Sequence, residues 1–311
     1  PHPLRKRADM RAVVLTTYGG PEVLTVREVP EPDGPGPDGV LVRSAAVAVN
    51  PVDLQTRAGL HAERTPSGPP MILGWDLAGT VTAVGEAVTG FAVGDHVVAM
   101  SAQLATGRGT HAERVALPAD AIAHAPSSVP LSDAAGLPLA GLTAWQALGI
   151  LALPERASVL ITGALGAVGG LAVQLARRRG LTVVAHIRSA RDAEQARALG
   201  ADRVVDERCL PDAGVDGLLE TAGLPRAITA VRDGGRAVSI VPTRVPAPER
   251  GIEVVVSYVE QSGADLATLC ALVDGGELRL RTARRLGFAD AAEAHRLLAA
   301  GGVRGKLVLL P

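Results

Sequence analysis

The chain has 311 residues, 47% of them hydrophobic and 20% charged, with 36 glycines, which is enough for two domains of ordinary size, each with its own core. A net charge of −1 excludes a broad basic field for nucleic acid, and two cysteines, Cys209 and Cys270, exclude a disulfide framework or a four-cysteine zinc site. No apolar run reaches the roughly 18 residues of a membrane helix, and the basic stretch 1–9 lacks the apolar region of a secretory signal, so a cytoplasmic protein with no membrane or nucleic-acid partner is expected.

The first third predicts strands. Residues 11–16, 24–29, 39–48, 76–84 and 96–100 are short valine-rich runs separated by Gly/Pro/Asp clusters, the pattern of a compact barrel-like domain. Residues 132–151 read as helix with a break at Gly141. From residue 157 the pattern alternates. Strands are expected at 158–162, 182–187, 203–205, 215–221 and 237–242, with helices at 168–179, 190–199 and 225–232. Strands alternating with helices imply a parallel sheet with helical crossovers. Helices at 264–274 and 291–300 and a closing strand at 306–310 return to the style of the first part, so one domain is inserted within another.

The sharpest motif is Gly163-Ala164-Leu165-Gly166-Ala167-Val168-Gly169, with GxxGxxG spacing, placed after a strand and at a helix start. Glycine permits the tight turn and lets backbone approach a pyrophosphate, and the helix N-terminus offers free N–H groups. The next strand ends in Arg188-Ser189 with no acid to hold a ribose 2′-OH, which suits a 2′-phosphate and predicts NADP(H). Glu207, after the third strand, argues for the free ribose, with Arg208 beside it as an offset.

Tyr18-Gly19-Gly20-Pro21-Glu22-Val23-Leu24, Asn50-Pro51-Val52-Asp53, Gly74-Trp75-Asp76-Leu77-Ala78-Gly79, Val93-Gly94-Asp95-His96-Val97, Gly141-Leu142-Thr143-Ala144-Trp145, Ala291-Ala292-Glu293-Ala294-His295 and Gly305-Lys306-Leu307-Val308-Leu309 carry a family resemblance over nearly the whole chain. On them the sequence resembles the zinc-independent quinone oxidoreductase and enoyl reductase branch of the medium-chain dehydrogenase/reductase superfamily. The resemblance implies an α/β fold in which a GroES-like β-rich catalytic domain, residues 10–132 and 265–311, holds an inserted Rossmann domain with a doubly wound parallel sheet, residues 133–264, behind an extension at 1–9. Zinc-dependent relatives carry a cysteine where the Asn50 stretch begins, Gly-His-Glu where this chain has Gly74-Trp75-Asp76, and a four-cysteine lobe, so no metal is expected.

By the same resemblance Asn50 lies beside the nicotinamide, Asp53 supports the site, and Thr143, Thr221-Ala222-Gly223, Val241-Pro242, Arg304 and Lys306 lie near the cofactor. Two tyrosines common in the family are missing: Gln55 and His61 occupy one region and His111 the other. His61 is therefore the candidate proton donor with His111 as the alternative, and solvent is the rival to both. The expected activity is NADPH-dependent hydride transfer to a small conjugated carbonyl substrate, a quinone, enone or enoyl group. The alternatives are a biosynthetic enoyl reductase acting on a CoA- or carrier-bound substrate, and a cofactor-binding protein with a structural or non-redox role. A homodimer is expected by family analogy, through the apolar run at 252–258.

Overall fold

The valine-rich runs form strands because β-branched side chains pack well on a pleated surface that buries one face. The computed structural model describes residues 8–206, 208, 210 and 213–311; Glu207, Cys209 and residues 1–7 of the extension lie outside them. Strands β1 (Asp9–Leu15), β2 (Leu24–Pro30), β3 (Gly39–Val49), β4 (Met71–Ile72), β5 (Asp76–Val84), β6 (His96–Met100), β7 (Arg114–Pro118) and β8 (Ile122–His124) come first. Helices α1 (Pro51–Arg57), α2 (Gln103–Thr106) and α3 (Leu131–Ala134) lie between and after them, followed by α4 (Pro138–Leu151). Then come β9 (Ser158–Ile161), α5 (Ala167–Arg178), β10 (Thr182–His186), α6 (Ala193–Ala198), β11 (Arg203–Val205), β12 (Val215–Glu220), β13 (Val231–Ser239) and β14 (Glu253–Val256). The chain ends with α7 (Gly263–Asp274), β15 (Thr282–Gly287), α8 (Ala291–Ala300) and β16 (Lys306–Leu310).

Two units result. The first comprises the chain up to Leu139 with Gln261–Asp274 and Leu280–Pro311; the second comprises Ala140–Glu260 and Gly275–Arg279. The first unit holds an antiparallel sheet in the order β2-β1-β4 and a larger sheet in the order β15-β16-β3-β5-β6-β8, with β7 also on β3. β3 is the hub, and its register with β5 shifts twice, between Leu41 and Val42 and between Ser44 and Ala46. Such irregularities bend a strand and raise its twist, which lets one strand serve several partners. β16 pairs antiparallel to β3, with Leu307 opposite Val49, so the last strand closes against the end of β3. Val13, Leu15, Val40, Val42, Leu77 and Leu309 are among the buried side chains of this core. Burying each one contributes about 1.5–3 kcal/mol.

The second unit is a six-stranded parallel sheet in the order β11-β10-β9-β12-β13-β14. Numbered within the sheet this is 3-2-1-4-5-6, and the strand order reverses between β9 and β12. α5 packs close to the start of this sheet because Gly169 has no side chain: a Cβ there would stand 2.2 Å from the Gly163 carbonyl oxygen. The inserted parallel-sheet domain within a β-rich one matches the architecture expected from the sequence.

Three local expectations need correction. The helical stretch 132–151 breaks at Ala135–Leu137 between α3 and α4, and α4 runs through Gly141. Pro138 explains this, since proline cannot continue a helix but fits its first turn. Residues 225–232 are not an α-helix. Pro225–Ala230 forms a short 3-10 helix, and β13 starts at Val231, earlier than expected. The sequence reading does not mark β4, β7, β8 or β15. Among the described residues no helix is long and apolar enough to cross a membrane.

Candidate active site

In the first unit the polar chemistry gathers where β3 ends, β5 begins and β16 begins. Asn50 follows Val49 at the end of β3, and Pro51 opens α1. Asp76 is the first residue of β5 and Lys306 the first of β16. The Asn50 side-chain amide donates to Asp76 Oδ2 at 2.8 Å and to the Ala48 carbonyl at 3.3 Å, while its Oδ1 accepts from Lys306 Nζ. Lys306 Nζ also donates to Asp76 Oδ2 at 2.6 Å. Asp76 Oδ1 accepts the Leu139 amide at 2.6 Å. Lys306 is 4% exposed and Asp76 0%, so this is an ion pair out of water, with hydrogen bonds filling the remaining positions.

Asn50 is accordingly committed within the protein, with both amide protons and its oxygen engaged. Lys306, expected as a basic element of the tail near the cofactor, bonds Asn50, the residue expected beside the nicotinamide. It is a buried partner of Asp76, because a desolvated ammonium requires a carboxylate within reach. Arg304, two residues earlier, is exposed.

Asp53 Oδ2 accepts the Asn50 amide at 2.8 Å, and Oδ1 has no hydrogen-bond partner. Burial pushes its carboxyl up to about 7, with the Asp76 charge adding and the Asn50 amide, the Lys306 charge and the Gly74 amide opposing. His111 is fully buried. Its Nε2–H donates to the Ala48 carbonyl at 3.2 Å, Nδ1 has no partner, and burial pulls its pKa down to about 4. The expectation that His111 could donate a proton near neutral pH is corrected by this setting: the ring is neutral there and its one N–H is held by backbone. His61 lies after α1, its Nε2 3.0 Å from Gln55 Oε1, and burial followed by the Arg64 charge lowers its pKa.

In the second unit the glycine motif forms the turn between β9 and α5. Gly163 has φ +59, and a Cβ there would lie 3.0 Å from Thr221 Oγ1 and 3.1 Å from Ala222 Cβ. Gly166 is the N-cap of α5, and no acid stands in the first turn. The first-turn amides, those of Ala167, Val168 and Gly169, have no acceptors within the helix and carry its partial positive charge. This cradle fits a dinucleotide pyrophosphate at the point where the strand order reverses. Arg188 is exposed and Ser189 half-buried just after β10. Thr221, Ala222 and Gly223 follow β12, and Val241 and Pro242 follow β13. Thr143 is buried on α4, and Arg208 is exposed after β11. Glu207, the residue that argued against a 2′-phosphate, is outside the described residues.

Sequence reasoning missed two residues. Asp76 was seen only as a replacement for a zinc ligand, and Glu220, at the end of β12, was not singled out; it is 0% exposed. A carboxylate ending an apolar parallel strand was the available signal.

The positions of the expected zinc-ligand stretches hold Asn50, Trp75 and Asp76, and the ammonium of Lys306 sits on Asp76 and Asn50. Among the described residues no group of three or more His, Cys, Asp or Glu side chains could hold a metal ion.

Two expected outcomes follow from these pairs. Lys306→Met leaves Asp76 charged and buried, at a cost of about 3–5 kcal/mol, and adding Asp76→Asn recovers part of it. Urea unfolding of the two variants and the wild type checks this. The second concerns pH. His295, buried on α8 with neither ring nitrogen partnered, has its pKa pulled down to about 3 by burial, then by His111 and Arg57. Below about pH 6.5 the unfolded chain binds protons that His111 and His295 refuse in the fold, so their contribution to stability falls as pH drops toward 4 and 3. Asp53 acts oppositely: the folded state holds its proton between about 4 and 7, so its contribution falls as pH rises through that window. Two histidines outweigh one aspartate. Thermal unfolding should shift down between pH 6.5 and 4.5, less so in His295→Leu and more so in Asp53→Asn.

Comparison with known proteins agrees with this architecture. The alcohol dehydrogenase GroES-like domain family matches residues 36–127, and the zinc-binding dehydrogenase family matches residues 199–309. The chain is 31% identical to an NADPH-dependent alkenal/one oxidoreductase of Arabidopsis thaliana, over 97% of this chain and 80% of that protein. It is 31% identical to a quinone oxidoreductase of Pseudomonas aeruginosa, over 97% of this chain and 99% of that one. The solved quinone oxidoreductase of Coxiella burnetii superposes with a TM-score of 0.89 at 28% identity, covering 98% of this chain and 100% of that one. The chain is an oxidoreductase and belongs to the medium-chain dehydrogenase/reductase superfamily, among its quinone oxidoreductase and alkenal reductase members.

Proposed function

We propose that the protein is an NADPH-dependent reductase of small conjugated carbonyl compounds that works without zinc. The observation that carries this reading is the glycine turn that opens α5 at the reversal point of a 3-2-1-4-5-6 sheet, with no acid in the first helical turn. Relatives named for NADPH-dependent alkenal/one reduction, quinone reduction and 2-haloacrylate reduction support the substrate class. These three names share a carbon–carbon double bond conjugated to an electron-withdrawing group.

The bound nicotinamide would supply a hydride. The amides of Ala167, Val168 and Gly169 would hold the pyrophosphate, and Arg188 with Ser189 the 2′-phosphate. Thr221-Ala222-Gly223, Val241-Pro242, Thr143, Arg208 and Arg304 are further proposed contacts. In the first unit Asn50 and Asp53 would act through the buried network rather than by free side chains. His61 donates its Nε2–H to Gln55, and burial followed by the Arg64 charge lowers its pKa; in this reading the proton that completes the reduction would come from water. In this reading hydrogen-bond donors alone would stabilise the developing enolate. No observation favours a structural or non-redox role.

Loss of reduced-nicotinamide absorbance with a panel of enones, alkenals and quinones tests the reading; no consumption with any of them would contradict it. NADPH should outperform NADH by roughly 10- to 150-fold in affinity, as a charge-assisted contact of about 1.5–3 kcal/mol gives. Arg188→Ala should erode that preference and leave NADH binding nearly unchanged. His61→Phe should keep turnover within about threefold and leave the pH profile intact, whereas a positioned acid would cost about 10²- to 10⁴-fold. The protein is also proposed to be a homodimer. β14 ends the parallel sheet, Val254, Val255 and Val256 are half-buried, and Tyr258 is 59% exposed. An edge of this kind is a liability until another chain covers it. Light scattering should give twice the 31.7 kDa chain mass.

A further inference from the structure

Glu220 closes β12 at 0% exposure, and among the described residues no basic side chain pairs with it. A buried carboxylate without a cation persists only where dipoles replace its water. Its Oε1 accepts three hydrogen bonds, from Thr162 Oγ1 at 3.0 Å, the Ala222 amide at 2.8 Å and the Leu224 amide at 2.9 Å. Its Oε2 accepts from Ser239 Oγ at 3.3 Å.

These donors come from three places. Thr162 follows β9 and leads directly into Gly163, Ala222 and Leu224 belong to the loop after β12, and Ser239 ends β13. Each is linked onward. Thr162 Oγ1 accepts the Thr221 amide at 2.7 Å, and Thr221 Oγ1 donates to the Thr162 carbonyl at 2.6 Å. Ser239 Oγ accepts the Val241 amide at 3.2 Å. The glycine turn therefore touches the β12 loop at a distance set by these bonds, and the β13 loop hangs from the same carboxylate. One side chain fixes the three strand ends beside which a dinucleotide would lie.

We propose that Glu220 is a positioning residue for the cofactor: it sets the loops after β9, β12 and β13 so that the nicotinamide half of the dinucleotide is held, while the adenosine end, anchored after β10, depends on it little. The proposal rests on the dinucleotide reading above. What Glu220 supplies is an acceptor of fixed geometry. Glutamine keeps Oε1 as an acceptor for Thr162, Ala222 and Leu224, and its amide can donate to Ser239 Oγ, so the charge is dispensable and the shape is not.

The test titrates full-length wild type, Glu220→Gln and Glu220→Ala with NADPH and with adenosine 2′-monophosphate, which has the adenosine end without the pyrophosphate or the nicotinamide. The expected result is NADPH affinity within about threefold of wild type in Glu220→Gln and at least tenfold weaker in Glu220→Ala, with adenosine 2′-monophosphate binding within about threefold in both. Should Glu220→Ala fail to fold, Thr162→Val and Ser239→Ala each remove one donor and should show the same split at smaller amplitude, with Thr162→Ser restoring it. Equal weakening of both ligands, wild-type NADPH binding in every folded variant, or a Glu220→Gln protein as impaired as Glu220→Ala would overturn the proposal. A wild-type protein that binds neither ligand would instead defeat the dinucleotide reading.

Discussion

A chain that leaves one unit, builds another and returns must fasten its last strand to a sheet begun some 260 residues earlier, and here the buried ion pair of Lys306 with Asp76 does so. After Lys306, β16 is apolar at every position, Leu307, Val308, Leu309 and Leu310, so hydrophobic pairing on β3 alone specifies its register weakly. The ammonium adds a constraint. Its Nζ meets Asp76 and Asn50, which end or begin three elements of the first unit, and a one-residue slip would bury a charge without a partner. Leu139, the last residue of the first unit before the chain leaves it, contributes its amide to the same carboxylate. Departure and return are thus bound to one aspartate.

Each unit is organised around a buried carboxylate at strand termini, and the two are satisfied differently. Asp76 has a cation; Glu220 has only hydroxyls and amides. The difference suits their surroundings. Around Asp76 the structure locks backbone and a cation together in the core of a β-rich unit. Around Glu220 the carboxylate lies beneath loops proposed to receive a doubly charged pyrophosphate, and donors drawn from the loops themselves order them without adding a competing cation.

Much of this was legible in the sequence because hydrophobic period and glycine placement are local signals. The β9–turn–α5 unit could be read from residues 158–179, since an apolar strand run, turn chemistry and helix spacing all agree there. β15 was hidden because Thr282, Ala283, Arg284 and Arg285 are polar or small on an edge strand, so no buried face marks it. The break in 132–151 falls before Pro138 and not at Gly141, because the missing N–H of proline is a stronger constraint than the flexibility of glycine. The site was legible as a set of loops and not as a network. Nothing near Lys306 in the chain says that its partner is Asp76, 230 residues away. The histidines at 61 and 111 looked catalytic as replacements for tyrosine, but burial and backbone hydrogen bonding are tertiary facts that composition does not carry.

The central claim is that hydride reaches the β carbon of a conjugated carbonyl compound rather than its carbonyl carbon. NADPH deuterated at C4, prepared in both stereochemical forms, tests this directly with a simple enone and analysis of the product by NMR. One of the two forms should place deuterium on the β carbon of a saturated ketone. Deuterium on the carbinol carbon of an allylic alcohol would contradict the account and mark the protein as a carbonyl reductase.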